Sequence, residues 1–514
     1  MTNDELSFGW RPVADKTSAG LDFLGLASPI EGILDVETEG ITNATERARY
    51  FSIMPWIYWK YAKQGGQGSR KEQRHFTIGF EQLLAYANIA KVETTGRPMT
   101  GIIRRDECER HWRKDLQELP LRGDVGDTPS PLDPALYGPS LRRFNLLSRV
   151  DHVHGCANAG RIIAEELDKT FSQLEGKRFL LTAETVKRST IHAWAECLWL
   201  DKPVRGEKRL LRSLLFSTDE FDSGSVPSRV KSMLLLLSLA TDSPDPFTTA
   251  ELETWLATGM SPRGGEFTPD ASLQETWTRW RIMACLKYLR HASELGFAAV
   301  HRFVTENAQA GSIFSTAEIA ARQLCQEVVS GTDPSESLPQ EYQQLLQRFS
   351  PSTPYVGWGP QDDSASSLLR HAIQVVVWCH SLLGSPIARP LMSHKAATIG
   401  FEFDADLSGW YGHLERHKNL TTFEALRWLT VDRGIARHFR VAARKLVQHD
   451  TFRLIEDDRG VHATDNCPVA GIAIRIGAML SLMSDVGLLN RESGRYMAST
   501  AAAGWLKKQL HRLP

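Results

Sequence analysis

Residues 472–510 have the sequence IAIRIGAMLSLMSDVGLLNRESGRYMASTAAAGWLKKQL, which predicts a helix, a hairpin and a second helix in succession. The apolar run over 472–485 has helical spacing and ends in Val-Gly-Leu-Leu. A polar turn at 491–494 follows, and a Ser-Thr pair precedes the helix expected over 500–510. This order is typical of winged-helix modules, although a generic helix–hairpin–helix of no special role has the same pattern.

A second segment has the same order nearer the N-terminus. The sequence YGPSLRRFNLL over 137–147 predicts a short helix that ends at Asn145, followed by a short strand over 146–150. A turn at Gly155 and a helix over 162–171 come next. Together the two segments predict a mainly α, multi-domain helical protein with winged-helix-like modules and a few short β-hairpins.

Helical spacing of apolar residues dominates the rest of the chain, most clearly over 230–239, 277–295 and 371–383. At roughly 150 residues per domain, a chain of 514 residues corresponds to about three domains. Stretches rich in Gly, Pro, Ser and Asp are expected linkers. The predicted modules are an N-terminal helical module (1–100), a winged-helix-like module (101–175), a central helical body (176–395) and a C-terminal basic helix with a winged-helix-like module (396–514).

Composition and charge exclude several classes of protein. Apolar residues make up 42% of the chain and charged residues 24%, so there is enough apolar surface to fold most of its length. The net charge of -1 excludes a histone-like or polybasic protein. A local basic face that binds nucleic acid remains compatible with that balance.

Nothing in the sequence predicts export or membrane insertion. The N-terminus lacks a basic and then apolar leader, and the longest apolar run, at 233–240, is far shorter than a membrane span. Seven cysteines are scattered without a C-x-x-C pair, which fits reduced thiols. We therefore expect a cytoplasmic protein with no membrane partner.

The segment GITNATERARYFSIMPWIYWKY, residues 40–61, combines arginines with aromatic residues. Asn43 and Glu46 have the spacing of a capping box, which predicts a helix starting there. Arg47 and Arg49 would then lie near the helix N-terminus, where the dipole does not favour cations, so both need anionic partners. Those partners are either phosphates or acids nearby in the sequence, namely Asp22, Glu31 or Glu37.

Aromatic residues continue this segment with helical spacing from Tyr50 to Tyr61. One interpretation is a buried aromatic helix with structural arginine pairs. The other is an aromatic-and-arginine site for nucleic acid.

The sequence VDRGIARHFRVAARKLVQ over 431–448 predicts an amphipathic helix with a basic face. Such a face binds the phosphate backbone, or it is solvated or salt-bridged internally. Its cations are Arg433, Arg437, Arg440, Arg444 and Lys445. Smaller basic clusters are Arg104 with Arg105, Arg110 with Arg113 and Lys114, Arg142 with Arg143, and Lys208 and Arg209 with Arg212.

Motifs for nucleotides and metals are absent from the sequence. There is no P-loop, no dinucleotide-binding glycine motif and no zinc-protease or deaminase signature. His413 and His417 have a spacing that a metal could use, as do His152, His154 and Cys156 along a strand, but no further ligand accompanies either set. The sequence therefore predicts no metal and no cofactor.

Three stretches, at 40–51, 137–147 and 437–442, resemble a family of bacterial proteins associated with anti-phage defence loci. One activity that this resemblance implies is a DNA glycosylase that excises a modified base, such as glucosylated hydroxymethylcytosine, from phage DNA. Such chemistry requires the base to leave the stack and needs no metal or nucleotide.

Under that hypothesis, the segment at 40–61 is the candidate catalytic site. Asn43 and Glu46 would act at the sugar, and Tyr50 would be a platform for the base. Arg47 and Arg49 would bind the flanking phosphates.

Three functions remain open from the sequence. The first is a DNA glycosylase, and the second is a non-catalytic winged-helix DNA-binding or adaptor subunit of a multi-protein defence system. The third is a helical protein–protein scaffold. The expected partners are double-stranded DNA, including modified phage DNA, and other defence proteins.

Overall fold

The structure is a computed structural model of the 514-residue chain, and helices dominate it. The residues it describes are 22–63, 70–121, 137–150, 153–171, 184–222, 224–331, 337–349, 362–398, 406–445, 451–464, 467, 469 and 474–513. Within these residues the strands form two-stranded antiparallel sheets, which confirms the predicted mainly α class with short hairpins.

The chain divides into two compact units, each built from two chain segments. Unit one comprises Met1–Gly32 and Arg281–Ile472, and unit two comprises Ile33–Trp280 and Ala473–Pro514. The four modules expected from the linkers stay a prediction.

The helices of the described residues follow in chain order. They are α1 (Ser28–Glu37), α2 (Tyr50–Lys63), α3 (Arg70–Thr95), α4 (Arg105–Trp112), α5 (Gly138–Arg143), α6 (Asn158–Phe171), α7 (Arg188–Trp194), α8 (Arg205–Phe216), α9 (Ser228–Asp242), α10 (Thr249–Thr258), α11 (Gln274–Gln309), α12 (Ala317–Ser330), α13 (Tyr342–Gln347), α14 (Ala365–Leu383), α15 (Leu407–His417), α16 (Thr422–Arg427), α17 (Ala436–Lys445), α18 (Ile476–Asp485) and α19 (Ala502–Leu510). A π-helical segment, Trp428–Ile435, lies between α16 and α17.

The strands pair as neighbours in the chain, with one exception. Hairpins are formed by β2 (Leu147–Val150) with β3 (Val153–Cys156), β5 (Leu454–Asp457) with β6 (Gly460–Ala463), and β7 (Leu489–Glu492) with β8 (Arg495–Ala498). The exception is β1 (Glu118–Pro120), which pairs with the distant β4 (Thr185–Lys187).

Both predicted helix–hairpin–helix segments are present in unit two. The first consists of α5, β2, β3 and α6, and the second of α18, β7, β8 and α19. In the first segment the helix α6 starts before the expected residue 162 and packs closely on the hairpin. A Cβ on Gly160 would lie only 2.1 Å from the Leu146 carbonyl oxygen, so a glycine is needed there.

The second segment is completed by a part of the chain far away in sequence. Phe247, between α9 and α10, forms an antiparallel bridge with Tyr496 of β8, with N–O distances of 2.9 and 2.7 Å. The helix α9 packs against α19 and β8, and α10 packs against α18. Helices α9, α10, α18 and α19 and the hairpin of β7 and β8 thus pack together from two chain segments, and we call this group the split module.

The helix α18, which precedes the hairpin of the split module, is buried. Nearly all its side chains from Ile476 to Asp485 are inaccessible to solvent. The guanidinium of Arg475, before the helix, is bound to Asp35, with an Nη2–Oδ1 distance of 3.0 Å. Insertion of this helix into a DNA groove is therefore not available to the folded unit.

Within the described residues, no helix is both long enough and apolar enough to cross a membrane.

Candidate nucleic-acid interface

The segment at 40–61 does not begin its helix where the capping pattern predicts. The helix α2 begins at Tyr50, so the predicted helix start at Asn43 is wrong. The backbone before Tyr50 is instead held by tertiary hydrogen bonds. The Arg47 N–H donates to the Tyr137 hydroxyl at 2.8 Å, and the Ala48 N–H donates to Asp485 Oδ2 at 2.8 Å.

Arg47 is buried among carboxylates of unit two. Only 2% of it is exposed, and its Nη2 lies 2.7 Å from Asp201 Oδ1 and 2.9 Å from Asp485 Oδ1. Burial by itself would lower the pKa of Arg47, but the two carboxylates outweigh it and raise the pKa. Burial raises the pKa of Asp485 to about 6, against the opposing effect of Arg47.

Arg49 is fully buried and bound to α8. Its Nε donates to both carboxylate oxygens of Glu207, at 3.0 and 3.2 Å, and its Nη1 donates to the Trp199 carbonyl oxygen at 2.6 Å. Ser52 also donates a short hydrogen bond to Glu207. In this conformation neither Arg47 nor Arg49 presents a guanidinium to a phosphate, and the geometry corresponds to structural arginine pairs.

The three residues proposed for catalysis differ in their exposure to solvent. The Tyr50 side chain is buried, its hydroxyl accepts a hydrogen bond from the Ile103 N–H at 2.9 Å, and its ring lies 4.8 Å from that of Tyr137. Asn43 is exposed and Glu46 is half-buried. A base could reach Tyr50 only if the surrounding aromatic residues moved.

The predicted basic helix of unit one is divided by the π-helical segment. Arg433, within that segment, is buried with its guanidinium carbon 3.7 Å from the centre of the Trp410 ring. Arg437 is 1% exposed, and its Nε donates to the Leu24 carbonyl oxygen at 2.6 Å. Arg437 shares the buried face of α17 with His438, Val441 and Ala442, so the first part of the predicted basic face packs inward.

The remaining cations of that helix differ in exposure. Arg440 and Arg444 are exposed, whereas Lys445 donates to the Asp22 carbonyl oxygen at 2.5 Å. In unit two, Arg142 and Arg143 are exposed at the end of α5, and Arg143 forms an ion pair with Glu39. The structure therefore does not gather the predicted cations into one surface.

A different helix, α8, carries a continuous basic face. Arg205, Lys208, Arg209 and Arg212 are spaced i, i+3, i+4 and i+7, which places them on one side of the helix. The opposite side is buried and includes Glu207, the partner of Arg49. We call the cavity beside this basic face the α8 cleft. Its volume is about 620 Å³, and its lining residues are Arg205, Gly206, Lys208, Arg209, Arg212, Ser213, Thr218, Asp219, Trp505, Gln509 and Arg512.

Positive charge in the α8 cleft is compensated only in part. Arg209 forms an ion pair with Glu220 at 2.5 Å, and Asp219 accepts a hydrogen bond from Ser213 at 2.9 Å. No carboxylate of the described residues forms an ion pair with the four other cations of the cleft, which are Arg205, Lys208, Arg212 and Arg512.

Arg212 shows this lack of compensation most clearly. It is half-buried, and its Nε and Nη2 both donate to the Val486 carbonyl oxygen, at 3.2 and 2.5 Å. Burial lowers the pKa of Arg212, with no opposing carboxylate. A cation that is partly removed from water without a counter-ion is a place where a bound anion gains free energy.

Of the two histidine sets, the structure describes all the side chains only for His413 and His417. No group of three or more His, Cys, Asp and Glu side chains among the described residues is arranged to hold a metal ion. His417 makes its hydrogen bond to the backbone, with 2.7 Å between its Nδ1 and the His413 carbonyl oxygen. His152 lies outside the described residues, and only the backbone of His154 is described.

Comparisons with protein families, with curated proteins and with solved structures find no match to this chain.

The sequence alone indicates the basic residues of α8 but not the other residues that line the α8 cleft. The cluster of Lys208, Arg209 and Arg212 is visible in the sequence, and the helical spacing of Arg205 extends it. Trp505 and Arg512 belong to the second chain segment of unit two, nearly 300 residues later, and only the fold brings them to α8.

Proposed function

We propose that this chain is a nucleic-acid-binding protein that holds phosphates in the α8 cleft, acting as a DNA-binding or adaptor subunit of a defence system. The observation that carries this proposal is the set of cations in one cavity that have no carboxylate partner, namely Arg205, Lys208, Arg212 and Arg512. Guanidinium and ammonium groups bind phosphate strongly, and phosphate contacts dominate the affinity of proteins for nucleic acid.

The dimensions of α8 agree with a nucleic-acid strand. Arg205 and Arg212 are seven residues apart, which is about 10 Å along a helix. A strand of DNA advances about 3.4 Å per nucleotide along its axis, so the row covers about three phosphates. We expect α8 to follow one strand, because its row of cations is straight.

The proposal also accounts for the near-neutral net charge of the chain. The charge of -1 is an average over 514 residues, whereas binding depends on the local field. Acids elsewhere are engaged in internal ion pairs such as those of Glu207 and Asp485. In and beside the α8 cleft, five cations face the carboxylates of Asp219, Glu220 and Glu166, so the cleft keeps an excess of positive charge.

The experiment that tests the proposal measures how salt weakens binding. The purified chain is titrated into labelled single-stranded and duplex DNA over a range of KCl concentrations, and fluorescence anisotropy gives the affinity. Each phosphate contact contributes about 0.7 to the slope of log affinity against log salt for a single strand and about 0.9 for a duplex. The double variant Arg205→Gln/Lys208→Gln should lower the slope by about 1.4 to 1.8.

Lys114→Gln/Lys187→Gln is the matched control. Both lysines are exposed in unit two and do not line the α8 cleft. The control should keep the wild-type slope. An equal loss of slope in both double variants, or no binding by the wild type, refutes the proposal.

The glycosylase hypothesis stays a prediction, and one further experiment tests it. Unmodified and hypermodified phage DNA are incubated with the wild type and with Glu46→Ala, treated with alkali, and examined for strand breaks. Breaks that occur only in modified DNA with the wild type would establish base excision and assign it to the segment at 40–61. Intact DNA with salt-sensitive retention supports binding alone.

A further inference from the structure

The α8 cleft is a cavity and not only a charged surface. Its volume of about 620 Å³ lies within the range of about 300–1,000 Å³ that is usual for sites that hold a small molecule. The cleft therefore has room for one compact group in addition to the phosphates that the row of cations on α8 contacts.

Two cations of the cleft lie near the same backbone turn. A Cβ on Gly487 would lie 3.3 Å from Lys208 Nζ and 3.5 Å from Arg212 Nη2, and the neighbouring Val486 carbonyl oxygen accepts hydrogen bonds from the Arg212 guanidinium. Gly487 has a φ of +77°, a conformation that favours glycine. Neither cation has a carboxylate partner in the described residues, so an anion bound beside them gains from both charges.

The charge of the anion follows from this arrangement. A phosphate monoester carries about 1.5 to 2 negative charges at neutral pH, whereas the diester inside a strand carries one. Lys208 and Arg212 together neutralise a monoester. A terminal or free phosphate therefore fits better here than a phosphate within a strand.

An aromatic side chain completes the cleft. Trp505 is half-buried, lies T-shaped against Phe216 with ring centres 4.5 Å apart, and lines the cavity together with the cations. Bases stack on such rings with little dependence on sequence. An acidic peptide would pair with the cations, but it has no base that would stack on the Trp505 indole.

We infer that the α8 cleft binds a nucleotide that carries a phosphate monoester, with the phosphate between Lys208 and Arg212 and the base against Trp505. This inference rests on the proposed function and specifies its ligand. The same chemistry is offered by the phosphorylated end of a DNA strand and by a free nucleoside monophosphate.

The test uses the full chain and compares the two sources. Single-stranded oligonucleotides that differ only in a 5′-phosphate or 5′-hydroxyl, labelled at the 3′ end, are titrated by anisotropy, and a matching pair is phosphorylated at the 3′ end. Free AMP and dAMP, inorganic phosphate and an acidic peptide serve as competitors. A phosphorylated end should bind about tenfold more tightly or better, because the second charge is placed between two cations.

Two variants assign the roles of the residues. Lys208→Gln should remove the preference for a phosphorylated end while unfolding at the wild-type temperature, because no ion pair of the described residues involves Lys208. Trp505→Leu should weaken nucleotide binding about fivefold or more through lost stacking, and Trp505→Phe should restore most of it.

The outcomes separate the inference from the proposed function. Salt-sensitive DNA binding without preference for a phosphorylated end, and without an effect of Trp505→Leu, overturns the inference and leaves the proposed function standing. Binding of AMP or dAMP without binding of any oligonucleotide supports the nucleotide site and refutes nucleic-acid binding. Competition by the acidic peptide but not by AMP or dAMP overturns the inference in favour of a protein ligand.

Discussion

Glu207→Ala should destabilise unit two strongly, because Glu207 is the counter-ion of a fully buried arginine. Arg49 and Glu207 are both 0% exposed, and Glu207 accepts hydrogen bonds from Arg49 Nε, from Ser52 and from the Val204 N–H. Removing one partner of such a pair leaves a charge in a low-dielectric interior, which costs about 3–5 kcal/mol. We expect the free energy of unfolding to fall by that amount.

The same region of the chain supplies the matched control. Arg209, on the exposed face of α8, pairs with Glu220, and their side chains are 59% and 33% exposed. Water screens this pair, so Glu220→Ala should cost about 0–1 kcal/mol. The two substitutions remove the same functional group close to one helix and differ in burial.

The assay is urea unfolding followed by circular dichroism, with the wild type and both single variants at one protein concentration. A third chain, Arg49→Met/Glu207→Leu, replaces the buried pair with apolar side chains and should recover most of the loss, because no uncompensated charge remains. Equal effects of Glu207→Ala and Glu220→Ala would refute the reasoning. So would a double variant that is no more stable than Glu207→Ala.

Three further outcomes follow from single positions. Gly160→Ala should lower the unfolding temperature, since its Cβ would lie 2.1 Å from the Leu146 carbonyl oxygen, and an unchanged unfolding temperature would contradict this packing. Burial raises the pKa of Glu294 to about 7 against the opposing effect of Arg290. Between pH 4.5 and about 7, Glu294 is therefore still protonated in the folded state but has lost its proton in the unfolded state. The contribution of Glu294 to the free energy of unfolding falls by about 3 kcal/mol over that window. The Glu294→Gln variant should therefore gain stability relative to the wild type as the pH rises. A constant difference in unfolding temperature between these two chains from pH 5 to 7 would exclude that titration. Gly487→Ala should lower the unfolding temperature, because Gly487 has a φ of +77° that an alanine rarely adopts, and an unchanged unfolding temperature would contradict this turn.

Elements that depend on local sequence could be predicted. The long apolar helices correspond to α9, α11 and α14, and both hairpins follow from their polar turns, because the spacing of apolar residues and the turn residues act over a few positions. The start of α2 could not be predicted in the same way. The Ala48 N–H uses a carboxylate more than 400 residues away in place of a local cap.

The spacing of basic residues in the sequence does not determine whether their side chains point to solvent or into the protein. The arginines at 433 and 437 have the spacing of a surface stripe, yet both are buried, and Arg437 lies on the packed face of α17 together with His438 and Val441. Arg47 and Arg49 need anions, as the sequence indicates, but only the fold shows that these anions are Asp201, Asp485 and Glu207.

The construction of the split module has a consequence for the order in which the protein is synthesised. Phe247 pairs with Tyr496, and α9 packs against β8 and α19, so the partners of α9 leave the ribosome about 250 residues after it. At about 5–20 residues per second, this interval lasts about 12–50 s. During that time the segment that buries the leucines of α9 in the folded protein has not yet been synthesised. The growing chain is therefore a substrate for chaperones, and a stalled or shortened product exposes an apolar helix that quality-control proteases can recognise.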